Sequence, residues 1–433
     1  MAATAVTKST TLPRRDSAVL LELFRTVRRF SERLTEPLEP EDVVIQSMPD
    51  VSPTRWHLAH TTWFFENFVW SKVHPQEEPH DPAYGYLFNS YYNSVGKQFP
   101  RSQRGVLSRP TLREVMDYRH TVDERVEDLL SSGRLDESDD LLAVVEIGLH
   151  HEQQHQELIL TDIKHVFSCN PLRPVYHRTA SRPGSAQPQL AWQTYREQLE
   201  TIGHDGGSFA FDNEGPRHRR WIEAFELASR LVTNSEYLEF IEDSGYARPE
   251  LWLSDGWSTV VNDGWAAPLY WEHVGDRWQI FTLGGMRDLD PAEPVCHVSY
   301  YEADAFARWA GAWLPTEAAW ETAACDVPPE GNFVESERFH PAPVSDESEK
   351  GAISQIFGDV WEWTCSPYCA YPGYRPATGA LGEYNGKFMC NQMVLRGGSC
   401  ATAQSHIRPT YRNFFPPSAR WQFSGIRLAR EPR

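Results

Sequence analysis

No Cys-x-x-Cys pair occurs in this chain, and its seven cysteines (Cys169, Cys296, Cys325, Cys365, Cys369, Cys390, Cys400) are odd in number and scattered. That pattern argues against a disulfide framework and for a reduced, cytoplasmic protein. No stretch approaches the roughly 20 apolar residues of a membrane span. The start of the chain leads to Arg14-Arg15 without a following apolar core, so no secretory leader is expected. Basic residues are outnumbered, 41 against 60 acidic, for a net charge of -19. A surface so acidic is unsuited to nucleic acid or an anionic membrane, and neither is expected as a partner. Internal repeats and low-complexity tracts are also missing.

What is present suits globular cores. Hydrophobic residues make up 40% of the chain and charged residues 23%, so global disorder is excluded. At ~150 residues per domain, 433 residues suggest two or three domains. Sixteen tryptophans point to an aromatic-rich domain with irregular backbone, or to pockets that hold a cation against ring faces.

The expected fold class is α+β with two domains. Residues 1–167 read as a helical bundle. Residues 17–33 carry Leu20, Leu21, Leu23, Phe24, Val27 and Phe30 at helical spacing. A second helix spans 54 to about 72, entered through Ser52-Pro53. A third spans 111 to about 130, with Thr111 and Glu114 as a capping box. A fourth spans 138 to about 167. Four helices with one long connection suggest a four-helix bundle. That connection, about 73–110, is too polar and too Gly/Pro-punctuated to be helical, and loops of such length are usually functional. Residues 168–192, with Ser181-Arg182-Pro183-Gly184-Ser185, read as a linker. Residues 193–433 form a second domain of short apolar runs with little regular secondary structure. Its two short helices are expected near 301–310 and 316–324, the second with Thr316 as N-cap.

The densest chemistry lies in Leu149-His150-His151-Glu152-Gln153-Gln154-His155. His151 and His155 stand at i and i+4 and share a helix face. Imidazole is the commonest ligand for several transition metals, so the pair is half a metal site. The third ligand is sought in Trp56-His57-Leu58-Ala59-His60. His57 and His60 are three apart, so spacing admits either. Three neutral histidines leave coordination positions open, which suits a catalytic site. His150 finds no partner at i+4 and reads as a supporting or surface residue. Arg101 and Arg104, in the long connection, could clamp a small carboxylate. Tyr91 and Tyr92, in Asn-Ser-Tyr-Tyr-Asn, could present a phenol O–H near the metal. Tyr411-Arg412-Asn413-Phe414-Phe415 could wall a quaternary ammonium group.

The same residues carry a resemblance over nearly the whole chain. Ser52-Pro53, Trp56-His57-Leu58-Ala59-His60-Thr61 and His151-Glu152-Gln153-Gln154-His155 resemble the DinB-like domain of the ergothioneine-biosynthesis sulfoxide synthases. The C-terminal half resembles the formylglycine-generating-enzyme (sulfatase-modifying factor) fold. It does so through Leu314-Pro315-Thr316-Glu317-Ala318-Ala319-Trp320-Glu321, Gly358-Asp359-Val360-Trp361-Glu362-Trp363, Leu395-Arg396-Gly397-Gly398-Ser399 and Gly425-Ile426-Arg427.

This resemblance implies a non-haem Fe(II) enzyme that uses O2 to join a cysteine-type thiol to C2 of the hercynine imidazole. It implies His60, His151 and His155 as metal ligands. Gln154, Asn413 and Phe414 would contact hercynine, and Arg101 and Arg104 the thiol carboxylate. Two departures from one branch of the family stand out. The tyrosine that donates a proton there aligns with Leu381 here, Tyr384 being the other near match. An acidic residue that contacts γ-glutamylcysteine there is Phe415 here. Both resemble a second branch, in which a Tyr-Tyr pair takes over and free cysteine is the donor. Tyr91 and Tyr92 are then the expected catalytic residues, and hercynine, cysteine and O2 the expected small-molecule partners. The rival expectations are γ-glutamylcysteine as donor, a thiol dioxygenase, and a non-catalytic binding module with a structural metal. The chain ends soon after Gly425-Ile426-Arg427. No methyltransferase domain is therefore expected, which favours hercynine over unmethylated histidine. The sequence leaves the oligomeric state open.

Overall fold

The computed structural model describes residues 15–136, 138–178, 188–345 and 352–432. The Ser-Arg-Pro-Gly-Ser stretch of the expected linker lies outside the described residues. No described helix is long and apolar enough to cross a membrane.

Four long helices form the N-terminal half: α1 (Ser17–Arg33), α2 (Thr54–Phe65), α3 (Leu112–Ser131) and α4 (Asp139–Cys169). Their starts are set by side-chain caps. Asp16 accepts from Ala18 N–H, Thr111 and Glu114 form the expected capping box, and Ser138 accepts from Leu141 N–H. Asp139 and Asp140 add negative charge at the first turn of α4, where the helix dipole favours it. The second helix does not continue as a plain α-helix to residue 72. It changes to a π-helical stretch over Glu66–Trp70 and ends in a short turn, Ser71–Val73. The buried Glu66 carboxylate there accepts from Tyr118 Oη–H at 2.6 Å and from His80 N–H at 2.8 Å.

α2 has no exposed residue, and from Gly148 onward α4 is buried over most of its circumference. Close packing requires this of Gly148, where a Cβ would lie 2.6 Å from the Phe65 ring. Glu152, between the two histidines of α4, is 1% exposed. It accepts from Arg28 at 2.7 Å, from Ser31 at 2.6 Å and from Arg119 at 2.5 Å. Burial pushes its carboxyl up, but Arg119 and Arg28 outweigh that and hold it down at about 2. The ion pairs tie α1 and α3 to α4 from inside the bundle.

Beyond the bundle the strands are short. They are β1 (Trp192–Tyr195), β2 (Gln198–Ile202), β3 (His218–Ile222), β4 (Phe225–Ala228), β5 (Trp271–Val274), β6 (Arg277–Thr282), β7 (Gly285–Asp288), β8 (Trp361–Pro367), β9 (Met393–Arg396), β10 (Asn413–Phe415), β11 (Ser424–Gly425) and β12 (Ala429–Arg430). They pair as β1-β4-β12, β10-β9-β8-β11, β2-β3 and β5-β6-β7. Only β8 and β11 run parallel; the other pairs are antiparallel. The two helices near 301–310 and 316–324 are Tyr300–Trp309 and Glu317–Ala324, the latter capped by Thr316.

The motifs of this half turn out to be its buried polar framework. Arg427 pairs with Glu362 at 2.8 Å, and Trp320 Nε1–H donates to the same carboxylate at 2.7 Å. Arg396 pairs with Glu321 at 2.8 Å, and Arg412 with Glu317 at 2.9 Å. Each charge is buried and each is met, which is the condition for keeping charges in a core.

A direct prediction concerns the ion pairs inside the bundle. Glu152→Ala leaves Arg28 and Arg119 buried without their common counter-charge. It should cost about 3–5 kcal/mol in urea unfolding of the metal-free protein. An unfolding midpoint within error of the native one would contradict this.

Candidate metal centre and cavity

The two halves meet along α4. Glu157, on its C-terminal half, accepts from Trp361 Nε1–H at 2.6 Å and from the hydroxyls of Ser399 and Thr402 at 2.8 Å each. Gln153 donates to Ser405 at 2.7 Å, and His150 contacts His406 at 2.9 Å between their Nδ1 atoms. His150 is therefore a seam residue, stacked on Phe209 with ring centres 3.8 Å apart.

His60, His151 and His155 converge at this seam. One nitrogen from each lies within 4.8 Å of the others, the one group of this kind among the described residues. His60 Nδ1 lies 2.6 Å from the carbonyl oxygen of Phe88. A carbonyl can only accept, so Nδ1 carries the proton and Nε2 keeps its lone pair. That Nε2 is 3.2 Å from His151 Nε2. Two adjacent ligands at right angles, each about 2.1 Å from one ion, would be about 3 Å apart.

His155 is set by a chain of three groups. Asp162 accepts from His57 Nε2–H at 3.0 Å, and His57 Nδ1 then accepts from His155 Nδ1–H at 2.8 Å. This again frees Nε2 for a ligand bond, the usual way an outer carboxylate fixes the tautomer. It also separates His57 from His60. Both nitrogens of His57 are engaged, so His60 is the residue free to bind. His151 Nδ1 is buried with no hydrogen-bond partner, so the cluster does not satisfy itself. Burial lowers the pKa of all three imidazoles, that of His151 to about 3, with further lowering of His60 and His155 by neighbouring histidines. All three are neutral at physiological pH, the form a metal needs. The residues fit a divalent transition-metal ion with an open face.

A cavity of about 320 Å³ opens over this cluster. Its lining includes Tyr91, Arg101, Arg104, His151, Gln154, His155, Asn413, Phe414 and Phe415. His60 and Tyr92 are not in that lining; both are fully buried, and Tyr92 packs on Trp63 and Phe68. Arg104 is buried, with its guanidinium 3.3 Å from the centre of the Trp56 ring. It donates to Ser52 at 2.9 Å and to Ser90 at 3.2 Å but has no ion pair among the described residues. Burial, with repulsion from Arg101, pulls its pKa down to about 8. Arg101 is exposed at the rim and bonds the carbonyl of Asp50. Opposite, Phe414 stacks on Tyr368 with ring centres 4.1 Å apart and Phe388 5.9 Å away. Asn413 turns its Oδ1 to the N–H of Phe414 at 2.9 Å. Phe415 meets Trp421 edge-on.

Tyr384 and Tyr411 hold Gln154. Its Oε1 accepts from Tyr384 Oη–H, and its Nε2–H donates to Tyr411 Oη at 2.6 Å. The Tyr384 ring centre lies 5.6 Å from that of His151. The expectation that no tyrosine stands here, based on Leu381, is corrected in this respect. Leu381 is partly buried outside the cavity lining, and Tyr384, three residues on, reaches in. The signal was the tyrosine itself, but an irregular stretch has no period to set the register. Asp162 did have a signal, standing seven residues after His155 on the same helix face. Asn213 and Gln422 line the cavity with unpartnered Asn213 Oδ1 and Gln422 Nε2; no motif announced them.

The Asp162–His57–His155 chain makes a prediction about metal affinity. Asp162→Asn keeps every ligand but loses the carboxylate that sets the His57 and His155 tautomers. Metal affinity should fall about 10–100-fold, measured by equilibrium competition against a chelator. Unchanged affinity would mean the chain has no orienting role.

Comparisons with known proteins agree with the two-part architecture. Residues 23–159 match the DinB superfamily, and residues 187–432 match the sulfatase-modifying factor enzyme 1-like domain. A hercynine oxygenase of Mycolicibacterium thermoresistibile is 33% identical over 409 residues, covering 88% of each chain. One of Mycolicibacterium smegmatis is 32% identical, covering 92% of this chain and 96% of that protein. A formylglycine-generating enzyme of Bos taurus is 27% identical over 275 residues, covering 53% of this chain and 72% of its own. With a third or nearly a third of residues identical across almost the full length of both proteins, this chain belongs to the hercynine oxygenase family.

Proposed function

We propose that the protein is an O2-dependent sulfoxide synthase that joins the sulfur of cysteine to C2 of the hercynine imidazole, with Fe(II) held by His60, His151 and His155. One observation carries the reading. Three neutral, buried imidazoles converge beneath a cavity whose lining holds both a buried arginine with no ion pair among the described residues and a set of stacked aromatic rings. Relatives that bear the name hercynine oxygenase support it.

The overall reaction balances as one thiol, one imidazole C2–H and one O2 giving one sulfoxide and one water. The sulfur–hydrogen and carbon–hydrogen bonds are lost, a carbon–sulfur bond and a sulfur–oxygen bond form, and O2 takes up the electrons. Fe(II), when bound, supplies the electron transfer that O2 needs before it can react with closed-shell partners. The protein groups bind, orient and protonate. Arg104, with Arg101 at the rim, meets the cysteine carboxylate, which gives the buried guanidinium its missing counter-charge. Phe414 and Phe388 present ring faces to the trimethylammonium group, and Asn413 meets the carboxylate end. Gln154 bonds the imidazole. Phe415 offers no charge to a γ-glutamyl extension, which supports free cysteine as donor.

Tyr91 and Tyr92 supply the acid. Burial raises the pKa of both phenols, so each is an O–H donor at neutral pH. Tyr91 lines the cavity, and Tyr92 stands behind it with ring centres 4.6 Å apart. Tyr384 is a second source of a phenolic proton, favoured by its contact with Gln154 beside His151.

The test is anaerobic loading with Fe(II), then O2 uptake and mass spectrometry with hercynine plus cysteine or γ-glutamylcysteine. Sulfoxide from cysteine is expected. Sulfoxide only from γ-glutamylcysteine would reassign the donor. Oxygen uptake with cysteine alone would make the protein a thiol dioxygenase, and no uptake would leave a binding module.

Two variants probe the roles. Tyr91→Phe and Tyr92→Phe should divert product toward cysteine sulfinic acid, and the larger diversion marks the donor. Native product ratios in both, with a change in Tyr384→Phe, would move the acid to Tyr384. Arg104→Met should raise KM for cysteine about 10–100-fold, as expected for loss of a buried charge-assisted contact of roughly 1.5–3 kcal/mol. KM for hercynine should change little, and an equal rise for both substrates would contradict the assignment.

A further inference from the structure

The proposed reaction uses Tyr91 and Tyr92 but not the charged groups that hold their loop. Two short helical turns of the C-terminal half, Ala380–Glu383 and Gly386–Phe388, lie against the long bundle connection. Glu383 Oε2 accepts from Asn93 N–H at 2.9 Å. Its Oε1 accepts from Ser94 N–H at 2.8 Å and from Ser94 Oγ–H at 2.6 Å. Lys387, four residues on, donates to Glu383 Oε2 at 2.9 Å and to the carbonyl oxygen of Tyr91. Its Nζ sits 5.1 Å from the centre of the Tyr91 ring. Phe388 meets that ring edge-on at 5.3 Å.

The peptide groups on both sides of Tyr92 are therefore gripped from the other half of the chain. From its own side the loop is held by Asn89, which accepts from Tyr92 N–H at 3.0 Å and donates to Tyr92 O at 3.0 Å, by Gln98, which donates to Asn93 Oδ1 at 2.9 Å, and by Arg104, which donates to Ser90. Although desolvation works against the Glu383 carboxylate, its bonds to the Ser94 hydroxyl and amide, to Lys387 and to Asn93 hold it down at about 2. It is an anion at any physiological pH. A glutamine of the same shape could accept through only one of its two terminal atoms. Its NH2 would face donors.

We propose that Glu383 and Lys387 are positioning residues: acting across the seam, they fix the Tyr91 phenol at the reaction cavity, with Tyr92 behind it, and so set the partition between sulfoxide and sulfinic acid. The inference rests on the sulfoxide synthase reading above and adds the device that makes the phenol placement depend on the C-terminal half. Both products consume one O2 per thiol. The sulfinic acid takes both oxygen atoms onto sulfur; the sulfoxide takes one and releases the other as water. The second outcome needs protons delivered to oxygen at the right place, and a displaced phenol cannot deliver them.

The experiment uses Fe(II)-loaded full-length enzyme with hercynine, cysteine and O2. Sulfoxide and cysteine sulfinic acid are quantified together, and hydrogen exchange is followed in the peptide containing Asn93 and Ser94. In Glu383→Gln and Lys387→Met the sulfinic share should rise about fivefold or more, as a slightly misplaced donor predicts. KM for both substrates should stay within about twofold, and exchange at Asn93 and Ser94 should quicken. Glu383→Asp, which keeps the charge, should return the ratio part of the way. Faster exchange with a native product ratio would overturn the proposal. A shift in Glu383→Gln without one in Tyr91→Phe or Tyr92→Phe would overturn it too, because the effect would not pass through the phenols. Absence of sulfoxide from the native enzyme would instead refute the functional reading itself.

Discussion

A helix enclosed by protein along its middle turns can carry polar residues only if each meets a partner. That constraint on α4 organises this molecule. The run from His150 to Glu157 contains no apolar side chain, yet most of it is buried. The solution is to send each polar group to a different structure. Glu152 goes to arginines of α1 and α3, Glu157 to Trp361, Ser399 and Thr402, and Gln154 to Tyr384 and Tyr411. His150 goes to His406, Gln153 to Ser405 and Gln156 to Val27 and Ser31 of α1, which leaves His151 and His155 facing His60. The metal-binding face is thus the part of α4 that the rest of the fold leaves incompletely satisfied.

From this follows the division of labour between the halves. The bundle supplies the imidazoles and the arginines, and the C-terminal half supplies the aromatic wall, Tyr384 and the grip on the tyrosine loop. The motifs that carry its resemblance serve the core. Glu362, Arg396 and Arg427 are spent on one another and on Glu321 in the core, and that network holds β8 and β9 where β10 can present Asn413 and Phe414.

How much of this could be read from residues depends on periodicity. The His151–His155 pair, the capped start of α3 and the short helix after Thr316 all follow from rules with a fixed spacing, and each lies where that spacing puts it. Spacing could not choose between His57 and His60, since i and i+3 share a face. The choice depends on Asp162, more than a hundred residues away in sequence. Nor could it place Tyr384 or Glu383, which sit in turns too short to impose a pattern. The π-helical stretch at Glu66–Trp70 escaped as well, because its cause is a buried carboxylate satisfied by Tyr118 and His80.

Desolvation also sets the protonation state of the site without help from strong local charges. Burial is the largest influence on His60, His151 and His155, and it keeps them neutral. It is likewise the largest on Tyr91, Tyr92, Tyr384 and Tyr411, where it keeps the phenols protonated. The same dry environment therefore keeps both the imidazoles and the phenols uncharged, because the neutral form of a base and the neutral form of an acid are both what a low-dielectric cavity favours. Arg104 is the exception, a group whose charged form the cavity opposes and whose neighbours do not neutralise it. A carboxylate placed beside it would remove that conflict, since a buried guanidinium is tolerated when a counter-charge meets it.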